Sequence, residues 1–151
     1  MMIKGTVIYL LMMLYMFFVH VPHQVDFVHI ITTNHFIALF LNNTIFIICF
    51  YEIRRLKQVY YPLCVRLKKH TNLYIHMKIT TYTFIMLIIQ YIFVASLFGL
   101  HHTPWHLLFS HTCLLLLCAN ITGLQFHHKS NILYILAPIS LNLIEHYFIF
   151  S

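Results

Sequence analysis

Apolar residues run through this chain in five long stretches, at about 5–21, 30–51, 79–100, 105–126 and 132–150, separated by short polar interruptions. A helix needs about 20 mostly apolar residues to cross a hydrocarbon layer of roughly 30 Å. Lipid offers no hydrogen-bond partners, so each stretch must satisfy its own backbone, and a helix does that. The second stretch has a polar start (Thr32, Thr33, Asn34, His35) and a polar notch at Asn42, Asn43 and Thr44, and the fifth contains Pro138 and Glu145. The pattern predicts an all-α polytopic integral membrane protein, a single domain of about five transmembrane helices with one cytoplasmic amphipathic helix. Lys4 precedes the first stretch as in a signal peptide, but His20, Pro22, His23 and Gln24 follow it in place of a small-residue cleavage site, so it reads as a retained span.

Charge sharpens this picture. Seven of the nine Lys and Arg residues fall in residues 54–78, between the second and third stretches. Positive residues are retained on the cytoplasmic side of a membrane. With the N-terminus cytoplasmic, Lys4, the basic loop 54–78 and the His127–His128–Lys129 turn all lie inside, and the C-terminus lies outside. On a helical projection of the loop, Leu56, Val59, Tyr60, Leu63, Cys64 and Leu67 share one arc. Arg54, Arg55, Lys57, Arg66, Lys68 and Lys69 occupy the remainder. Such a helix, kinked near Pro62, lies in the headgroup plane with its cations free for lipid phosphates or for a docked protein. It either only anchors the topology or also couples to a cytoplasmic partner.

Composition removes several classes. With 61% hydrophobic and 8% charged residues, the chain lacks the polar surface of a soluble domain. The formal charge of +6 sits in one membrane-flanked cluster, which points to anionic lipid or a cytoplasmic protein and away from nucleic acid. Cys49, Cys64, Cys113 and Cys118 form no CxxC pair and read as buried thiols. The sequons at Asn42 and Asn120 fall inside predicted spans. Nothing resembles a nucleophile elbow, a zinc-protease motif or a phosphate loop, and three acidic residues are few for acid–base chemistry, so no enzyme is expected.

The segment YEIRRLKQVYYPLCVRLKKHTNLYIHMKIT, set after two spans and before closely spaced hydrophobic hairpins, resembles the membrane subunits of ABC-2-type exporters and the small permeases of bacteriocin immunity systems. The resemblance covers about residues 5–126 and is one of layout; the five spans differ from the six usual in that family. It implies a bacterial plasma-membrane subunit whose first cytoplasmic loop contacts an ATPase, with Arg54, Arg55, Lys57, Arg66, Lys68 and Lys69 at or beside the contact. The scarcity of small residues for close helix packing also points to other membrane subunits as partners.

Thirteen histidines are many for a chain of this length. The topology puts His20, His23, His29, His35, His101, His102 and His106 on the outer side. There, His23, Asp26 and His29, and His102 and His106, are candidate zinc or copper ligands, against the plain alternative of interfacial histidines beside Trp105. Deeper lie His111, Glu145 and His146 at matching depths in the fourth and fifth spans. Intramembrane ionisable residues are functional candidates by default, and a His111–Glu145 pair fits two adjacent antiparallel helices, unless Glu145 and His146 merely reach the outer interface. Haem ligation by two of His20, His111 and His146 is a lesser alternative, and no cofactor is expected. The leading functional reading is a small membrane subunit of an export complex; the alternatives are a structural accessory subunit of a larger membrane assembly, such as a respiratory complex, and a metal- or haem-binding membrane protein.

Overall fold

The computed structural model describes residues 2–19, 30–31, 34–98, 105–126 and 132–149, and the described residues contain helices and no strand. Helix α1 is Met2–Val19. A π-helical segment, Phe36–Leu41, runs directly into α2, Asn42–Gln58. Short α3, Tyr60–Leu67, and a 3-10 turn, Lys68–His70, lead into the long α4, Thr71–Phe98. Helix α5, Trp105–Gly123, ends in a 3-10 turn, Leu124–Phe126. Helix α6, Leu133–Ile144, ends in a second π-helical segment, Glu145–Ile149.

Three of these helices are long and apolar enough to cross a membrane: Phe36–Gln58, Thr71–Leu97 and Trp105–Phe126. At about 1.5 Å per residue, each exceeds the roughly 30 Å of a hydrocarbon core. The other two predicted spans correspond to α1 and to α6 with its π-helical end, both helical and both shorter.

Helix α2 is the centre of the bundle, packed against α1, α4, α5 and α6. In its most apolar stretch 56% of residues are buried, against 33% for α4 and 39% for α5. The reason is chemical: α2 carries Asn42, Asn43 and Glu52, which are costly to present to lipid and find partners on neighbouring helices. The apolar core around it includes Tyr9, Met13, Ile45, Phe46, Ile53 and Met86.

The basic segment differs from the expected single loop. Helix α2 continues through Arg54, Arg55 and Lys57 to Gln58, and residues 71–78 already belong to α4. Long cationic side chains can reach the interface from a continuing helix, so their charge does not end it. The chain bends at Val59 (φ −104°, ψ 27°), three residues before Pro62. Pro62 then lies in the first turn of α3, where its missing N–H costs no helical hydrogen bond. Leu56 is buried and Cys64 and Leu67 are half-buried, as the projected arc requires, whereas Val59, at the bend, is exposed.

Two glycines mark close approaches. A Cβ on Gly5 would stand 2.9 Å from Ile48 Cγ1, and one on Gly123 would stand 3.0 Å from His76 Cε1. Each lets one helix backbone meet a bulky side chain of its neighbour.

Candidate functional site

Ionisable and amide side chains gather at the two ends of the bundle. At the basic end, Arg54, Arg55, Arg66 and Lys69 are exposed. Tyr61 and Val65, one turn apart on α3, stand 80% and 60% exposed. Lys57 and Lys78 are less available. Lys57 turns toward α5 and donates to the Gln125 carbonyl at 2.9 Å, capping the end of that helix with positive charge. Gln125 in turn donates through Nε2 to the Phe50 carbonyl at 3.0 Å. Lys78 lies 3.1 Å from Glu52 Oε1, with Arg55 3.8 Å from Oε2. The Lys68 side chain lies outside the described residues.

At the opposite end, α6 is clasped between α5 and α2. His111 Nδ1 meets Glu145 Oε1 at 2.9 Å, with both side chains buried. His35 Nδ1 meets His146 Nε2 at 2.7 Å. Glu145 and His146 are consecutive and both buried, because the helix they end has a neighbour on either side. Just below, the π-helical turn of the second span explains a third tie. Its widened register sends the Asn42 N–H to the Ile37 carbonyl. The Ala38 carbonyl thereby loses its ordinary helical donor and takes Asn142 Nδ2 at 2.6 Å, which also reaches Asn43 Oδ1 at 3.0 Å.

Amides and hydroxyls occupy the depth between these ends. Tyr9 donates its hydroxyl to Gln90 Oε1, and Gln90 Nε2 donates to Asn42 Oδ1 at 3.4 Å, joining α1, α4 and α2. Asn120 ties α5 to α4 through Thr80 at 2.9 Å and His76 at 3.0 Å. Hydrogen bonds of this kind hold helices together where water is absent. By contrast, the groove of about 690 Å³ between α1 and α2 is lined almost wholly by apolar groups such as Ile8, Met12, Ile47 and Tyr51, and offers a polar ligand little purchase.

The structure therefore brings His111 and Glu145 together and gives His146 a partner, His35, that spacing alone does not suggest. His23, Asp26, His29 and His102 lie outside the described residues, as does His20, and His106 stands exposed on the first turn of α5. Among the described residues, no group of three or more His, Cys, Asp or Glu side chains is arranged to hold a metal ion. Sequence reasoning also missed Asn142, Gln90 and the Glu52–Lys78 pair. The signal available for Glu52 was its place as one of three acidic residues, within reach of a basic segment. Comparison with models of protein families, with curated proteins and with solved structures gives no match.

Proposed function

We propose that this chain is a small membrane subunit of an export complex, with five spans, a cytoplasmic N-terminus and an outer C-terminus, that docks a cytoplasmic ATPase through its basic end. The observation that carries this reading is α3 itself. A short helix set between two membrane-length helices exposes an aromatic and an aliphatic anchor, Tyr61 and Val65, in a segment whose Arg54, Arg55, Arg66 and Lys69 are also exposed. Large aromatic and arginine side chains dominate protein–protein contacts, and Tyr61 and Arg66 on one short helix supply both. An acidic docking surface with an apolar pocket is the complementary partner.

The test is affinity purification of the full chain from mild detergent, comparing it with the R66E/K69E and Y61A variants. Recovery of an ATPase with the parent chain, and its loss from both variants at unchanged membrane insertion, supports docking. The reading fails if no ATPase copurifies, or if both variants retain it. A second reading, a structural accessory subunit of a larger assembly, draws on α4, whose apolar stretch is only 33% buried within the chain and leaves a broad face for other membrane helices. Copurification with several membrane subunits and no ATPase selects it.

A further inference from the structure

The cluster at the outer end is not used by the docking reading, and its hydrogen-bond chemistry is specific. A ring-to-ring contact such as His35 Nδ1–His146 Nε2, at 2.7 Å, needs one N–H and one lone pair. Two neutral imidazoles satisfy this, and so does the pair after gaining one proton. A second proton puts hydrogen on both facing nitrogens, removes the acceptor and sets two positive rings against each other. The His111–Glu145 contact, at 2.9 Å, survives proton transfer between its partners, since either nitrogen or oxygen can hold the shared hydrogen. Imidazole is the side chain whose charge ordinarily changes between about pH 5 and 8.

Position adds to this chemistry. His35 is exposed and His146 buried, so the pair links the outer surface to the interior. Both sit beside π-helical turns, a local geometry often found at functional sites. Among the described residues, the other titratable groups near the cluster are tyrosines and the Cys118 thiol of α5, which lies within electrostatic reach of Glu145. Tyr147 packs its ring 6.1 Å from His35 and 4.9 Å from His146. Tyr15 of α1 contacts Phe36, and Tyr91 of α4 bonds Thr112, beside His111, at 3.0 Å. No Lys or Arg occurs in residues 30–53 or 132–151, so neither α6 nor the outer part of the second span supplies a competing cation.

We propose that His35, His111, Glu145 and His146 form a proton-binding site at the outer end of the bundle, in which the second proton taken up by the His35–His146 pair releases the end of α6 from the start of the second span. The site is independent of any ATPase.

The full chain, uniformly ¹⁵N-labelled and held in lipid nanodiscs, is titrated from pH 8 to pH 5 by NMR, with amide exchange followed at Tyr147 and Phe148 and taken relative to the unstructured exchange rate at each pH. The expected result is coupled titration of His35 and His146, with loss of their shared hydrogen and a roughly fivefold rise in exchange on the second proton, the scale of one lost hydrogen bond. His35→Asn, at the exposed partner, leaves the buried ring in place; it should convert His146 to a simple single titration and abolish the pH-dependent rise. Two results overturn the proposal: His35 and His146 titrating alike with and without each other, or a pair still hydrogen-bonded at pH 5 with unchanged exchange.

Discussion

A buried carboxylate is tolerated only when its charge is met. Glu145 meets His111 at one end of the bundle and Glu52 meets Lys78 at the other. Taking one partner from such a pair leaves the other charge or hydrogen-bonding group stranded, whereas replacing both by apolar groups of similar shape is far less harmful. Glu145→Leu and His111→Leu should therefore each destabilise the bundle by about 1–3 kcal/mol, and the double substitution should cost clearly less than their sum. Reversible unfolding in mixed micelles measures this; strictly additive losses would show that the pair does not interact. The close approach at Gly5 gives a steric counterpart. Its added methyl must displace Ile48, so Gly5→Ala should cost about 1–3 kcal/mol by overpacking in the same assay.

At the scale of elements, the apolar runs make the helices legible, because hydrocarbon length and backbone satisfaction leave few alternatives. Their ends are less legible. The expected boundaries at Tyr51 and Ile79 follow hydropathy, but helical hydrogen bonding continues through Arg54–Gln58 and begins again at Thr71. Proline is the expected breaker in the basic segment, yet the bend is at Val59, and Pro62 sits where a first helical turn accepts it. Pro62→Ala should accordingly shift stability by no more than about 1 kcal/mol, with α3 retained in amide exchange; a larger loss would return the break to the proline. The π-helical turn at Phe36–Leu41 has no sequence signal at all. It depends on Asn142, four helices on, to bond the Ala38 carbonyl. Asn142→Leu removes both that donor and the contact to Asn43, and should cost about 1–3 kcal/mol. If the turn reverts to regular α-helix without loss, Asn142 is a passenger.

The candidate sites are legible in proportion to how far they depend on the membrane rather than on packing. Depth counted along helices is enough to match His111 with Glu145, because two antiparallel neighbours in one bundle share a coordinate along its axis. It cannot supply His35 for His146 or Lys78 for Glu52, which depend on how α2 is turned within the bundle. The same shared coordinate makes the topology testable. Arg54, Arg55, Arg66 and Lys69 are exposed at one end, while His106 and the His35–His146 pair lie at the other. Cations resist translocation, so the first end should face the cytoplasm and the second the exterior. Cys64, half-buried on α3, and a cysteine introduced by His106→Cys on the exposed first turn of α5 are suitable reporters, each studied with the other native thiols replaced by serine or alanine. In intact cells a membrane-impermeant thiol reagent should label the His106→Cys variant, and should label Cys64 only after permeabilisation. Labelling in the reverse order would put the basic end outside, and with it would fall both the positive-inside orientation and an ATPase docked on α3. Labelling of both positions from one side would instead mean that an odd number of crossings does not separate α3 from the start of α5, contradicting the membrane span assigned to α4.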